Sequence, residues 1–151
     1  MKNNSEIIEI KEFSQEIFLL ICQLTIQLTG GKKSFSEEAF HAIMSTSGTH
    51  LFIIYDNVGK PVGMTTLGIY HTPTGRKAWI EDVTVDEVAR GGGYGRKIVE
   101  HAIEFARNQN VETISLTSNP SRIAANKLYQ SLGFEKYETN LYKLTLRLPA
   151  L

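Results

Sequence analysis

The chain has 151 residues, of which 42% are hydrophobic and 21% charged, with 16 basic and 16 acidic side chains. This size suits one ordinary core, so we expect a single domain over 1–151. Balanced charge argues against nucleic acid or an anionic membrane as a partner. A lone cysteine, Cys22, excludes an internal disulfide and favours a cytoplasmic protein. The N-terminus lacks a signal peptide's apolar core, and no apolar stretch approaches the ~20 residues that span a bilayer.

Apolar periodicity predicts a mixed α/β fold with a mostly antiparallel sheet. In chain order, the first predicted elements are a strand at 6–13, helices at 14–28 and 36–48, and strands at 51–55, 62–70 and 78–85. A turn at 56–60 is expected to supply positive backbone angles between two of these strands. These strands follow one another through short turns, so they are predicted to pair antiparallel.

The second half of the chain predicts a parallel crossover. A helix over 94–108, a strand over 111–116 and a helix over 121–132 follow the strand at 78–85. Strand, helix and strand in this order place the two strands parallel in one sheet. The alternating apolar residues of the tail predict closing antiparallel strands at 134–137 and 141–148.

A run of glycines separates the strand at 78–85 from the helix at 94–108. It contains Arg90, Gly91, Gly92, Gly93, Tyr94, Gly95 and Arg96. Glycines let a backbone approach a ligand closely, and the first amides of a helix have no intrahelical partner, so this turn can hold a phosphate. The flanking arginines could add charged contacts, and an ordinary solvated cation is the alternative for each. The spacing fits neither the dinucleotide fingerprint nor the nucleotide-triphosphate loop.

The spacing Arg-x-x-Gly-x-Gly at 90–95 resembles the motif of the GNAT superfamily of N-acetyltransferases. Further support comes from Asn119-Pro120, from the run at 125–129 and from Leu132-Gly133-Phe134, which looks like the family's closing helix and Gly-Phe turn. The resemblance covers much of the chain and implies the GNAT fold, with the parallel strands splayed around acetyl-coenzyme A and helices on both faces of the sheet.

The resemblance also implies how this donor is held. Its pantetheine arm would pair with the backbone of Val83, Thr84 and Val85, and its pyrophosphate would lie on the amides of 91–96. Asn126 matches an asparagine that contacts the coenzyme in relatives, and Asn119 is a second candidate. Solvent exposure for Asn126 and a helix cap for Asn119 are the plain alternatives. No metal is implied, and the four histidines show no metal-ligand spacing.

Acetyl transfer to an amine needs a group that accepts the amine proton and one that stabilises the departing thiolate. Glu81 is the predicted base, directly or through a water, and Asp82 beside it is the reserve and a substrate-binding candidate. Tyr129 matches the tyrosine that acts as the general acid in many relatives, with a core position as the alternative. Strict alternation would place Glu81 on one face with Val83 and Val85, whereas a bulge would alter that facing.

The acceptor and the assembly are less defined by the sequence. The acceptor site is expected from the first two helices, the loop at 30–34 and the turn at 136–140, and a small-molecule amine is preferred over a protein amine. The alternative is a non-catalytic acyl-coenzyme A sensor or partner subunit. The edge of the strand at 141–148 could pair with a second chain, which suggests a homodimer.

Overall fold

The computed structural model describes residues 5–147. Within them the elements are β1 Ile7–Glu9, α1 Gln15–Thr29, α2 Glu37–Ser45, β2 Thr49–Tyr55, β3 Pro61–Thr72, β4 Gly75–Val85, a 3₁₀ turn Glu87–Ala89, α3 Tyr94–Asn108, β5 Thr113–Ser115 and α4 Ile123–Ser131. The predicted mixed α/β class is confirmed. The chain divides after Thr117 into a larger unit, which holds all of these strands and α1 to α3, and a smaller unit that begins at Ser118 and contains α4.

The sheet has the strand order β1-β2-β3-β4-β5. The first three pairings are antiparallel, and β4 pairs parallel with β5. The predicted crossover through α3 is therefore confirmed, although β5 is shorter than the predicted strand at 111–116. Asp56 stabilises the β2–β3 turn by accepting hydrogen bonds from the amides of Val58 and Lys60, and Gly59 supplies the expected positive φ of 81°.

The helices of the larger unit lie on both faces of the sheet. Leu51, Ile53 and Met64 pack in one buried cluster with side chains of α1 and α2, and we call this the α1/α2 face. Phe52 points the other way, because its ring lies 4.8 Å from His101 and 5.1 Å from Phe105 of α3, measured between ring centroids. This side is the α3 face. Opposite directions for neighbouring residues follow from the two-residue period of a strand.

Serine caps explain where the first two helices begin. The Ser14 hydroxyl accepts from the Ile17 amide at 3.4 Å, and the Ser36 hydroxyl accepts from the Ala39 amide at 3.1 Å. Acidic residues stand in the first turn of both helices, where they favour the positive end of the helix dipole. Gly30, with φ 61°, ends α1 in the left-handed conformation, as its position after the last apolar residue predicts.

The predicted closing strands are wrong for the part of the tail that the structure describes. Residues 134–147 contain no strand, and Leu148 lies outside the described range. Leu144 and Leu146 are 83% and 90% exposed, so their alternation does not mark a buried face. A strand needs a partner for its backbone groups as well as alternating side chains. The edge that suggested a homodimer is therefore not formed in the described residues.

Candidate active site

The glycine turn leads directly into α3. Gly91 and Gly93 have φ values of 87° and 79°, in the left-handed region that favours glycine. Gly92 differs from these two, because a Cβ built there would lie 2.6 Å from the ring of Tyr94, which would have to shift. The helix α3 begins at Tyr94, as the sequence predicts, and Gly93 is its N-cap residue.

The N-terminus of α3 is chemically unlike those of α1 and α2. Gly93 provides no side-chain cap, and the first turn carries no acidic residue. The first turn of α3 therefore has neither a capping side chain nor an acidic residue beside the positive end of the helix dipole. Such an end is suited to an external anion, and a pyrophosphate fits both its charge and its donor groups.

The two flanking arginines are held close to the turn. The Nε of Arg90 donates to the carbonyl of Val85 at 3.3 Å, which folds this side chain back towards the end of β4. Arg96 pairs with Glu100 one turn along α3, at 3.3 Å and with both side chains about half exposed. Contact of either guanidinium group with phosphate stays a prediction.

A β-bulge interrupts β4 just before the glycine turn. Thr66 lies opposite Glu81 and Met64 lies opposite Thr84, so two residues of β4 face one residue of β3. The extra residue is accommodated because Asp82 adopts a φ of 55°, which is uncommon for a residue other than glycine. The hydroxyl of Thr65 donates to the Glu81 carbonyl at 3.1 Å, which links the two strands at the bulge.

The bulge determines the face of the sheet on which Glu81 lies. Because cross-strand partners share a face, Glu81 lies with Thr84 and Met64 on the α1/α2 face, while Val85, opposite Gly63, lies on the α3 face. Strict alternation, which groups Glu81 with Val85, is therefore wrong here. Glu81 is exposed as a residue, yet partial burial of its carboxyl raises its pKa, and the negative charge of Asp82 adds to the shift.

The parallel pairing of β4 with β5 covers only a short stretch of β4. Pairing joins 77–79 of β4 to 113–115 of β5 and ends at Trp79 and Ser115. β4 continues to Val85, so Val83, Thr84 and Val85 lie past the end of this pairing. The resemblance places the pantetheine arm of the coenzyme along this part of β4, and that contact stays a prediction.

Sequence reasoning missed a buried carboxylate at the junction of β4 and the turn. Asp86 is 4% exposed and accepts hydrogen bonds from the side-chain amides of Gln23 and Gln27 on α1, at 3.1 and 3.4 Å. It also accepts from the Val88 amide at 3.3 Å, which begins the 3₁₀ turn. Asp86 thus ties the end of β4 to α1. An aspartate directly after a predicted strand was the available signal.

The smaller unit contains the remaining predicted residues. The side-chain oxygen of Asn119 accepts from the amide and hydroxyl of Ser121, at 2.9 and 2.8 Å, so it stabilises the turn before α4. The side-chain amide of Asn126 donates to the carbonyls of Asn119 and Arg122, both at 2.9 Å. These contacts give both asparagines a structural role, and coenzyme contact stays a prediction for each.

Tyr129 is 5% exposed, and its ring makes an edge contact with Phe134 at 6.0 Å between centroids. Burial raises the pKa of its phenol, and the nearby positive charge of Arg122 opposes that shift. The phenol therefore stays protonated at neutral pH, as a proton donor must. The same burial is what the core alternative expects, so the general-acid role stays a prediction.

Two of the histidines pack against other side chains in the larger unit. His50 pairs with Glu9 at 2.7 Å, and His101 contacts Phe52, with a pKa lowered mainly by burial. Among residues 5–147, no group of three or more His, Cys, Asp or Glu side chains is placed to hold a metal ion. No helix in that range is long and apolar enough to cross a bilayer.

The sheet, the bulge and the uncapped glycine turn are typical of α/β proteins that bind a phosphate-bearing ligand at a helix N-terminus. The family model described as "Acetyltransferase (GNAT) family" matches residues 18–134. The protein belongs to this family, because the match covers most of the chain.

Relatives and solved structures agree with this assignment. Human N-acetyltransferase 8B is 29% identical over 99 residues, which are 64% of this chain and 44% of that protein. Thialysine N-epsilon-acetyltransferase from Sus scrofa is 33% identical over 81 residues, 50% of this chain and 48% of that one. A putative acetyltransferase structure from Agrobacterium tumefaciens str. C58 has a TM-score of 0.81 at 27% identity, covering 93% of this chain and 99% of that one. The chain thus matches about half the length of these curated relatives.

Proposed function

We propose that this chain transfers the acetyl group of acetyl-coenzyme A to the nitrogen of a primary amine, by direct attack in a ternary complex. The observation that carries the proposal is the glycine turn, where left-handed Gly91 and Gly93 precede a helix with no side-chain cap and no acid in its first turn. Such a turn favours a diphosphate, and acetyl-coenzyme A carries one. Family membership supports the same donor.

The donor is expected to extend from this turn along β4. Its pantetheine arm would pair with the backbone of Val83, Thr84 and Val85, past the point where β4 and β5 cease to pair. Asn119 and Asn126 stay candidate contacts on the smaller unit. Arg90 and Arg96 are each proposed to add charge near the diphosphate, with the backbone amides of 91–96 as the main donors.

The proposed chemistry needs two proton transfers. The amine nitrogen forms a bond to the thioester carbonyl carbon, and the carbon–sulfur bond then breaks. The amine loses a proton to the Glu81 carboxylate, directly or through a water, and the departing sulfur takes the proton of the Tyr129 phenol. A raised pKa makes Glu81 a stronger base than an ordinary carboxylate, and burial keeps Tyr129 protonated until the thiolate forms.

The preferred acceptor is a small-molecule amine. Glu81 lies at the exposed surface of the α1/α2 face, so an amine can reach it from solvent without entering the core. A protein amine is the second class of acceptor. We expect the chain to act in the cytoplasm, since its single cysteine and balanced charge suit a reducing aqueous compartment.

The competing proposal is a non-catalytic acyl-coenzyme A sensor. It is distinguished by calorimetry with acetyl-coenzyme A, followed by thiol release with a panel of small amines, amino sugars, amino acids and peptides. Turnover that falls in Glu81→Gln and Tyr129→Phe, while coenzyme binding is retained, supports the enzyme. Tight coenzyme binding without turnover by any acceptor supports the sensor.

A further inference from the structure

Two aromatic side chains on the β3–β4 hairpin form a hydrogen-bonded pair. Trp79 lies opposite Gly68, and Tyr70 is the next residue of β3 on the same face. The indole N–H of Trp79 donates to the hydroxyl of Tyr70 at 2.9 Å. The indole N–H therefore has its partner within the pair, while the Tyr70 hydroxyl keeps a proton to donate beside the aromatic surface.

This pair lies on the same face as Glu81. Alternate residues of a strand share a face, and Thr66, opposite Glu81, precedes Gly68 by two residues. The face is the one that α1 and α2 cover at Met64, but the buried cluster beneath those helices includes neither Tyr70 nor Trp79. Tyr70 is 41% exposed, and a Cβ built on Gly68 meets no atom within 4 Å. Among the described residues, the sheet is therefore open at Gly68, two residues along β3 from the position opposite Glu81.

Sheet stability is the plain explanation of this arrangement. An aromatic side chain opposite a glycine is a known stabilising device, although a Cβ built on Gly68 meets no atom within 4 Å. It does not require a second aromatic residue beside the first, nor a carboxylate two residues further along the same face. An aromatic face and a carboxylate together attract an ammonium ion, and the aromatic surface also stacks on a flat ring.

We propose that Tyr70, Trp79 and Glu81 form the acceptor subsite and select a primary monoamine joined by a short linker to a flat ring. This inference rests on the proposed function, since it takes Glu81 as the group that receives the amine. Alternate strand residues lie about 7 Å apart, so a ring on Trp79 places a nitrogen near Glu81 only if the linker is short.

The charge beyond the aromatic pair sets the expected selectivity. Lys77 is opposite Tyr70 on the same face, and its ammonium donates to the hydroxyl of Thr74 at 2.8 Å. Its positive charge disfavours a second cation at the ring end of the acceptor. A monoamine with an uncharged ring is therefore preferred over a diamine or polyamine of similar length.

Trp79 is the only tryptophan in the chain, so its fluorescence reports on this subsite without any turnover. The protein saturated with coenzyme A is titrated with phenethylamine, with cyclohexylethylamine, whose ring is not flat, and with putrescine. We expect phenethylamine to change the tryptophan emission saturably. We expect the other two amines to bind roughly fivefold more weakly or worse, because stacking is lost or a second cation is added.

Kinetics give a second test with a matched control. Trp79→Leu keeps an apolar side chain and should raise KM for phenethylamine roughly fivefold, while leaving KM for cyclohexylethylamine and for acetyl-coenzyme A unchanged. Tyr142→Leu removes an 87% exposed aromatic residue that the proposed subsite does not include, and it should change none of these values. A uniform rise in every KM for Trp79→Leu means a structural role only and overturns the inference.

The two proposals fail in different ways. Turnover of phenethylamine with no change in Trp79 emission rejects this subsite and leaves the acetyltransferase intact. A saturable emission change without acetyl transfer to any amine supports the subsite and rejects catalysis. Weaker binding of phenethylamine than of cyclohexylethylamine rejects the proposed selectivity, and this comparison needs only the wild-type chain.

Discussion

Substituting alanine for Gly93 tests the role of the glycine turn. Gly93 has a φ of 79°, and a Cβ built there meets no atom within 4 Å, so the cost of Gly93→Ala is backbone strain alone. A non-glycine residue in the left-handed region costs roughly 1–2 kcal/mol. The residues at 91–93 are exposed, so we expect the free variant to relax this strain by changing its backbone conformation.

Because the free Gly93→Ala variant relaxes, the strain is expected to appear as a lower affinity for coenzyme A. If coenzyme A needs the left-handed conformation, binding must restore it, and 1–2 kcal/mol corresponds to a Kd raised roughly 5- to 30-fold. The midpoint of thermal unfolding should then change little. Calorimetric titration with coenzyme A measures the first quantity, and pantetheine, which lacks the diphosphate, should bind both proteins equally.

Gly59→Ala is the matched control. Gly59 has a φ of 81° and equally open surroundings, but it lies in the β2–β3 turn, where its amide donates to the Asp56 carbonyl at 3.2 Å. Because this hydrogen bond keeps the turn in its conformation, the variant cannot relax. The same strain should therefore lower Tm by roughly 2–8 °C and leave coenzyme affinity unchanged. Wild-type affinity in Gly93→Ala, or equal losses of affinity in both variants, would refute the role assigned to the turn.

Three further substitutions address the bulge and the proposed proton transfers. Thr65→Val leaves the Glu81 carbonyl without its donor and should cost about 1–3 kcal/mol of stability in denaturant unfolding, whereas Thr65→Ser should cost less. Glu81→Gln should lower kcat about 10²-fold or more. It should also abolish the acidic limb of the pH profile of activity, and in the wild type we expect this limb at a higher pH than the usual pKa range of a carboxyl, because the pKa of Glu81 is raised. Because the pKa of Glu81 is raised in the native state, its ionisation lowers the stability of the protein as the pH rises from the unfolded-state pKa through the native-state pKa. Urea unfolding of Glu81→Gln should lack this fall in stability. Tyr129→Phe should lower kcat by a similar factor with coenzyme Kd unchanged, and an unchanged kcat would exclude it as the acid.

The parts of the fold that the sequence predicted are those with local signals. The Ser14 and Ser36 caps, the glycine that ends α1 and the start of α3 at Tyr94 each depend on a few neighbouring residues. The glycine turn is local in the same sense, since its residues and its helix are contiguous. Its capacity to hold an anion could therefore be predicted before its dihedral angles were known.

The parts that escaped prediction depend on pairing between strands. The alternation of Leu144 and Leu146 resembles a strand, but no sequence signal reports whether a partner strand is present. The hydrogen-bonded pair of Tyr70 and Trp79 follows from the register of the β3–β4 hairpin, which a reader of the sequence could have counted from the turn before Gly75. The facing of Glu81 required the bulge itself, and Asp82 is a residue type that only moderately tolerates a positive φ.

The most direct test of the central claim is product analysis. The purified chain is incubated with acetyl-coenzyme A and its best amine, and mass spectrometry counts acetylated amine against free thiol. The account predicts one amide formed for each thiol released, with amide formation much slower in Glu81→Gln. Saturable binding of acetyl-coenzyme A with no amide from any acceptor in a broad panel would contradict it and leave a coenzyme sensor.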